Sequence, residues 1–418
     1  MSHLKSGILD LAIFGGKRAF DAPLHVGRPN IGDRRALLKR INDLLDRSWL
    51  TNDGPLLQEF EDRICELTEV KYCVAVCNAT IGLELVIKAL GLSGEVIVPS
   101  FTFIATAHAL RWHGVTPVFC DLDPSTHNID PLRVADLITR QTSGIIAVHV
   151  WGRPCDVVPL TDLARRHNLK LIFDAAHAFA CSYKGRMIGG FGDAELFSFH
   201  ATKFVNTFEG GAITTNNDEL AAKLRLMRNF GFAGLDRVTS LGTNGKMSEA
   251  SAAMGLTSLE SVDRFIEANR RNYRLYQRQL TEGPGISLSR YQEDEKCNYQ
   301  YVVLVIDEAV AGIGRDALDD ILWAENVLSR RYFYPGCHLM EPYRTEEPQA
   351  RLRLPQTERL AKMVLCLPTG SAVSSSDITA ICALITFIVK HAEAVKERLS
   401  MKPVFHHPWR SAVKSRTA

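Results

Sequence analysis

The fold is decided by residues 145–176, which read IIAVHVWGRPCDVVPLTDLARRHNLKLIFDAA. Two short apolar segments, 145–152 and 169–176, have the composition of buried strands. Between them, residues 160–168 place leucine and alanine at helical spacing. A strand, a helix and a second strand in this order predict a parallel sheet that is covered on both faces.

The same alternation extends toward the N-terminus. Strand-like segments occur at VAVC (74–77), EVIVPS (95–100) and PVFCDLD (117–123), and the first is followed by helical spacing over 80–90. Together these segments predict one doubly wound α/β domain at about residues 55–255, with a mostly parallel sheet. Ligands of such sheets bind at the carboxyl ends of the strands, so polar residues at those ends are candidates for a site.

Beyond Leu259 the pattern changes. A charged helix, a strand and a second helix with its exit are predicted at 261–280, 299–307 and 317–333. We therefore predict a large domain over 1–259, a smaller α+β domain over 260–400 and a basic tail over 401–418.

Composition excludes several classes of partner. Of 418 residues, 49 are Lys or Arg and 47 are Asp or Glu, for a net charge of +2. No basic run with interleaved aromatic residues occurs, so nucleic acid is not an expected partner. The ten cysteines form no CxxC pair, which predicts free thiols in a reducing cytoplasm and no metal site. We expect no signal peptide and no membrane span, since the longest apolar run, 378–389, is too short.

Two segments contain residues suited to pyridoxal phosphate (PLP) chemistry. Asp174 directly follows an apolar strand, where its carboxylate could pair with a protonated pyridine nitrogen; the alternative is an Asp that caps the next turn. Lys203 lies among apolar residues in FSFHATKFVNTFEGG (197–211). A Schiff-base lysine must be partly desolvated, as this context predicts, whereas most lysines are solvated.

A third segment, CNATIGLE (77–84), ends a strand and opens a helix at Thr80. Free N–H groups and a hydroxyl at a helix N-terminus form an anion site. The alternative is ordinary N-capping by Asn78 or Thr80.

With these motifs in view, the chain resembles the DegT/StrS family of sugar aminotransferases. The resemblance extends from SWLTNDGPLLQEFE (48–61) to HLMEPYR (338–344), and its motifs include IVPSFTFIATAHAL, PVFCDLDPSTHNIDP, FDAAHAFACSYKGRMIGGFGDAELFSFHATK and GTNGKMSEASAAMG. It implies a fold type I PLP-dependent transferase that cycles between PLP and pyridoxamine phosphate. It also implies a homodimer with shared active sites.

The resemblance also implies roles for individual residues. Lys203 forms the Schiff base with PLP, Asp174 binds the pyridine nitrogen and His177 lies beside the cofactor. Phe103 stacks on the cofactor ring, and Ala79, Thr80 and Ser198 bind its phosphate. Either Asn244 or Lys246 reaches the cofactor phosphate of the partner subunit. The chain departs from the family where Asn78-Ala79-Thr80 replaces a more frequent Ser-Gly-Thr, and where Thr243-Asn244-Gly245-Lys246 replaces a typical Tyr-Asn-Tyr-Arg.

For the substrate, the resemblance implies an amino-acid donor, usually glutamate, and a nucleotide-linked keto sugar. The FSFHATK wording favours dTDP-4-keto-6-deoxy-D-glucose, aminated at C4. Amination at C3 and a keto-cyclitol acceptor are the alternatives. A dehydratase of the same fold is a further alternative, but that branch has histidine where this chain has Lys203. A non-catalytic PLP-binding regulator is another, and the Lys203/Asp174 pair argues against it. Arg228 and His338 are candidate contacts for the sugar diphosphate, with a surface arginine and a core histidine as alternatives.

Overall fold

A computed structural model describes residues 5–280 and 283–401. The strands are β1 Leu24–His25, β2 Tyr72–Val76, β3 Glu95–Pro99, β4 Thr116–Cys120, β5 Thr142–Val148, β6 Lys170–Asp174, β7 Ser182–Tyr183, β8 Arg186–Met187, β9 Ala194–Ser198, β10 Gly211–Thr215, β11 Ile286–Leu288, β12 Val302–Ile306, β13 Val327–Leu328 and β14 Val364–Leu367. The helices are α1 Arg34–Arg47, α2 Pro55–Thr68, α3 Ala79–Leu90, α4 Ala105–Trp112, α5 Pro131–Leu137, α6 Val157–Arg166, α7 Asp218–Arg228, α8 Glu249–Leu259, α9 Val262–Gln279, α10 Glu308–Ala311, α11 Arg315–Ala324, α12 Tyr343–Glu346, α13 Pro355–Met363, α14 Ser375–Lys390 and α15 Ala392–Ser400.

A seven-stranded sheet forms the centre of the large unit, in the order β2-β10-β9-β6-β5-β3-β4. Only β10 runs antiparallel to its neighbours, so the predicted α/β fold with a mostly parallel sheet is confirmed. The register places Val148 beside Asp174 and Asp174 beside Leu196. The carboxyl ends of the three central strands β5, β6 and β9 therefore lie side by side.

Two strands end earlier than the sequence predicts. The segment 145–152 leaves the sheet after Val148, and Val150–Gly152 forms a 3₁₀ turn. The backbone turns there because Trp151 adopts φ 57°, and because the Val150 N–H donates to Asn128 Oδ1 (3.0 Å) rather than to a strand. The segment 117–123 likewise ends as a strand at Cys120.

A second unit is built on the antiparallel sheet β11-β12-β14, with α9, α11 and α14 packed in its core. The N-terminal segment joins this core, since Leu11, Phe20 and Leu24 are buried in it and β1 pairs with β13. The domain boundaries at 259/260 and 400/401 stay a prediction, and the predicted tail lies outside the described residues except for Met401. Across 5–280 and 283–401, no single helix is long and apolar enough to cross a membrane; α14 and α15 together pass that test, but they are bent by 77°.

The start of α2 depends on a carboxylate from α8. Glu249 is buried, and its two oxygens accept hydrogen bonds from the Leu56 and Leu57 N–H groups, each at 2.9 Å. The N-cap residue Gly54 has no side chain that could do this. Glu249 therefore ties α8 to α2 across almost 200 residues of sequence.

We expect Glu249→Ala to destabilise the protein by about 2–4 kcal/mol, because it leaves two buried helix-start donors without acceptors. Glu249→Gln retains one acceptor oxygen and should lose about half as much. Thermal unfolding measures both, with Glu59→Ala on the exposed face of α2 as the control. Equal melting temperatures for the Glu249→Ala and Glu59→Ala variants would contradict this role of Glu249.

Candidate active site

A cavity of about 360 Å³ lies at the carboxyl ends of the central strands. Seven of the predicted site residues line it, namely Ala79, Thr80, Phe103, Asp174, His177, Ser198 and Lys203. The strand ends explain this convergence: β6 ends at Asp174, β9 ends at Ser198, and β2 leads into the start of α3. The cavity has the size of an ordinary small-ligand site.

Asp174 is buried, and its carboxylate is held by two donors. Thr106 Oγ1 donates to Asp174 Oδ2 at 2.9 Å, and the Ala176 N–H donates to Oδ1 at 3.1 Å. Burial raises the pKa of Asp174, while these hydrogen bonds and the positive charge of Lys203 oppose the rise. The carboxylate is thus fixed in orientation, and a positive charge beside it in the cavity would favour its ionised form.

Lys203 lies in a turn closed by its own N–H, which donates to the His200 carbonyl at 2.8 Å. As predicted, its flanking apolar residues Phe204 and Val205 are buried. Burial lowers the pKa of Lys203 to about 8, and the nearby Asp174 carboxylate opposes this effect. Near neutral pH the side chain therefore has both an accessible neutral amine and an accessible ammonium form.

His177 is buried between the rings of Tyr301 and Phe333, whose centroids lie 4.6 Å and 5.6 Å from its own. Its Nδ1 accepts a hydrogen bond from the Trp151 N–H at 3.2 Å. Burial lowers the pKa of His177 well below its usual range, and the charge of Lys203 lowers it further. A neutral ring that accepts at Nδ1 carries its proton on Nε2, so His177 presents a donor.

The part of the cavity formed by the start of α3 is suited to an anion. Ala79 and Thr80 are the first residues of α3, where N–H groups have no acceptor within the helix. Asn78 caps this helix by accepting from the Ile81 N–H at 2.9 Å. Gly211 packs so closely that a Cβ there would lie 2.8 Å from the Ala79 nitrogen. The backbone at Ala79 is thereby held in place at the cavity edge.

Four predicted residues lie outside the cavity lining. Arg228 is buried and pairs with Glu61 at 2.5 Å, and it also donates to the Ala75 carbonyl. His338 is buried, with Nδ1 2.7 Å from Ser100 Oγ. Both side chains therefore have structural partners, and their predicted contact with the sugar diphosphate gains no support.

Asn244 and Lys246 lie on a segment beside the end of β2, where the Cys77 N–H donates to the Gly245 carbonyl at 2.8 Å. Asn244 is exposed. Lys246 Nζ donates to Asn229 Oδ1 at 3.0 Å. Neither side chain lines the cavity.

Sequence reasoning missed the residues that the second unit contributes. Tyr301, Arg330, Tyr332 and Phe333 line the cavity although they follow Lys203 by about 100 residues or more. The dense run of cationic and aromatic residues in RRYFYP (330–335) is a sequence signal for Arg330, Tyr332 and Phe333, whereas Tyr301 lies outside it.

Comparisons with known proteins agree with this fold. The profile of the DegT/DnrJ/EryC1/StrS aminotransferase family matches residues 32–386. A dTDP-4-amino-4,6-dideoxy-D-glucose transaminase of Shigella dysenteriae is 36% identical over 365 residues, covering 87% of this chain and 99% of that protein. A GDP-perosamine synthase of Caulobacter vibrioides is 35% identical over 348 residues, covering 82% and 92%.

The crystal structure of DesI in the presence of its TDP-sugar product superposes with a TM-score of 0.89 and 49% identity, covering 94% of this chain and all of that one. The profile match spans most of the chain, and the relatives are similar over nearly their whole lengths. The chain therefore belongs to the DegT/DnrJ/EryC1/StrS aminotransferase family and is a PLP-dependent sugar aminotransferase.

Proposed function

We propose that this enzyme transfers an amino group from L-glutamate to dTDP-4-keto-6-deoxy-D-glucose, giving dTDP-4-amino-4,6-dideoxy-D-glucose. The main observation that supports amino transfer is that Lys203 and Asp174 line the same cavity. The choice of sugar is supported by the transaminase of Shigella dysenteriae and by DesI, which was solved with a TDP-sugar product. The GDP-perosamine synthases favour a GDP-linked keto sugar as the second candidate.

The cavity residues fit PLP. Asp174 offers a fixed carboxylate for a cationic ring nitrogen, and the start of α3 at Ala79 and Thr80, with Ser198, offers donors for a phosphate. Phe103 lines the cavity with 58% of its surface exposed, so its ring is accessible to a flat group that stacks on it. Lys203 supplies the amine.

When bound, PLP supplies an electron sink for bonds to the amino-bearing carbon. Lys203 would hold the cofactor, and its free amine would accept and return a proton within the cavity. Asp174 keeps a positive charge on the ring nitrogen favourable. His177 would present its Nε2 donor to the bound cofactor, and its burial against the Tyr301 and Phe333 rings keeps it neutral.

The test is to incubate the purified, PLP-loaded protein with L-glutamate and dTDP-4-keto-6-deoxy-D-glucose, and to identify the sugar by mass spectrometry and NMR. A 4-amino product supports the proposal, and a 3-amino product changes only the regiochemistry. If the cofactor spectrum responds to glutamate but the sugar is unchanged, this acceptor is wrong. A GDP-linked keto sugar and a keto-cyclitol are then tested in the same assay.

The pKa of Lys203 provides a test that needs no turnover. In protein stripped of cofactor, we expect an amine-acylating reagent to modify Lys203 with a rate midpoint near pH 8, as the lowered pKa predicts. At pH 8 about half of such amines are neutral, against less than about 1% of an ordinary lysine. Peptide mass spectrometry across pH measures this, with exposed Lys362 as internal control. Identical pH profiles for the two lysines would contradict the buried environment.

We also propose a homodimer. Five large apolar side chains are exposed along one segment, at Phe230, Phe232, Leu235, Val238 and Leu241, with exposed fractions from 38% to 94%. Exposed apolar side chains concentrated on one segment are characteristic of a protein interface. The free thiols of all ten cysteines favour the cytoplasm as the compartment.

Asn244 and Lys246 follow this segment, and we propose that one of them contacts the cofactor phosphate of the partner subunit. A mixture of Lys203→Ala and Lys246→Ala protomers tests this for Lys246. If the site is shared, a heterodimer has one intact site and recovers activity that neither parent has. Recovery with Asn244→Ala in place of Lys246→Ala would assign the contact to Asn244, and no recovery with either would contradict the shared site.

A further inference from the structure

A second cavity, of about 540 Å³, adjoins the active site. The two cavities share Arg330 and Thr202 in their linings, and Thr202 directly precedes Lys203. The wall of the second cavity is formed by residues 22–23 and 25–29 and by Leu328, where β1 pairs with β13. We call this second cavity the N-terminal cleft.

The N-terminal cleft is cationic and has no acidic residue in its lining. His25, Arg28 and Arg330 face it, and their mutual proximity is visible in the pKa of His25, which is lowered by burial first and then by the charges of the two arginines. Across residues 5–280 and 283–401, neither arginine forms an ion pair with a carboxylate. The Arg330 guanidinium lies over the Tyr332 ring, 5.7 Å from its centroid.

The position of the cleft relative to Lys203 is fixed by a glycine. Gly27 has φ 73°, and a Cβ there would lie 3.0 Å from Thr202 Cβ and 3.1 Å from the Thr202 carbonyl oxygen. The segment that carries His25 and Arg28 therefore packs directly on the turn that carries Lys203. A ligand that reacts beside Lys203 and extends past Thr202 must enter the N-terminal cleft.

We propose that the N-terminal cleft binds the nucleoside diphosphate part of the sugar substrate, with Arg28 and Arg330 contacting the diphosphate. This assignment rests on the proposed function. Guanidinium groups bind phosphate oxygens with paired, charge-assisted hydrogen bonds. Pro23, Val26 and Leu328 add an apolar surface to the lining, which suits a nucleoside.

The test measures dTDP and GDP binding to the PLP-loaded enzyme by titration calorimetry, at low and at moderate ionic strength. We expect Arg28→Ala and Arg330→Ala each to weaken binding of the preferred nucleotide about tenfold or more, and to reduce its salt dependence. Arg330→Lys should recover part of the affinity. Arg140→Ala, which removes an exposed arginine outside both cavities, is the control and should bind like the wild type.

Unchanged nucleotide affinity in both arginine variants overturns the proposal, as does a wild type that binds neither nucleotide. Failure of the proposed function gives a different pattern: nucleotides bind and depend on Arg28, yet no amino sugar forms. If the wild type makes the amino sugar while both variants bind dTDP normally, the proposed function stands. Only the assignment of the N-terminal cleft to the diphosphate is then wrong.

Discussion

Replacing Lys203 by alanine should reduce amino transfer by at least about 10³-fold while leaving the fold intact, since a positioned acid–base group alone contributes about 10²–10⁴-fold. The variant loses both the amine that holds the cofactor and the group that moves the proton. The side chain lies in a turn at the cavity surface, so its truncation removes little packing. Steady-state rates with L-glutamate and the keto sugar give the measurement.

Two further variants separate chemistry from charge. Lys203→Arg keeps a cation beside Asp174 but cannot serve as a neutral amine near pH 8, so it should be as inactive as the alanine variant. Lys362→Ala removes an exposed lysine and should retain full activity. Borohydride reduction followed by peptide mapping should attach the cofactor to Lys203 in the wild type alone. Covalent cofactor and normal turnover in the Lys203→Ala variant would disprove the assignment.

The sequence predicts the parts of this enzyme that depend on local pattern. Apolar strands that alternate with helices predicted the central sheet, and Asp174 was identified because it directly follows a strand. Lys203 was identified from its apolar neighbours and from the family resemblance. Each of these signals lies within a few residues of the side chain concerned, so the sequence alone is enough to detect it.

Contacts made by distant segments could not be predicted in this way. Arg228 in RNFGF resembled a free cation, but its partner Glu61 lies 167 positions away. His338 was likewise a candidate ligand until the structure placed it against Ser100, 238 positions away. Tyr301 and Phe333 reach the cavity only because the second unit packs over the strand ends. These contacts between distant segments depend on tertiary packing, which a single sequence does not reveal.

Asp174→Asn should lower the rate of amino transfer by roughly 10²–10⁴-fold, with little change in cofactor occupancy. Losing one partner of a buried charge pair costs about 3–5 kcal/mol, which corresponds to this range. An asparagine keeps the size of the side chain and one acceptor oxygen, for either the Thr106 hydroxyl or the Ala176 N–H, so the loss reports the charge together with one hydrogen bond. Asp193→Asn is the control, because that carboxylate lies at the opposite edge of the sheet, where it accepts from the Leu171 N–H at 2.8 Å.

Thr106→Val makes the same argument in a graded form. It keeps the Asp174 charge but removes the donor that orients Oδ2, so we expect a loss of roughly tenfold, as for one hydrogen bond to a charged group. Thr102→Val touches only the Thr106 hydroxyl, 3.0 Å away, and should cost less than Thr106→Val. The order Asp174→Asn, Thr106→Val, Thr102→Val in declining effect follows from distance to the carboxylate. An Asp174→Asn variant that transfers amino groups at the wild-type rate would mean that the ring nitrogen has no need of this charge.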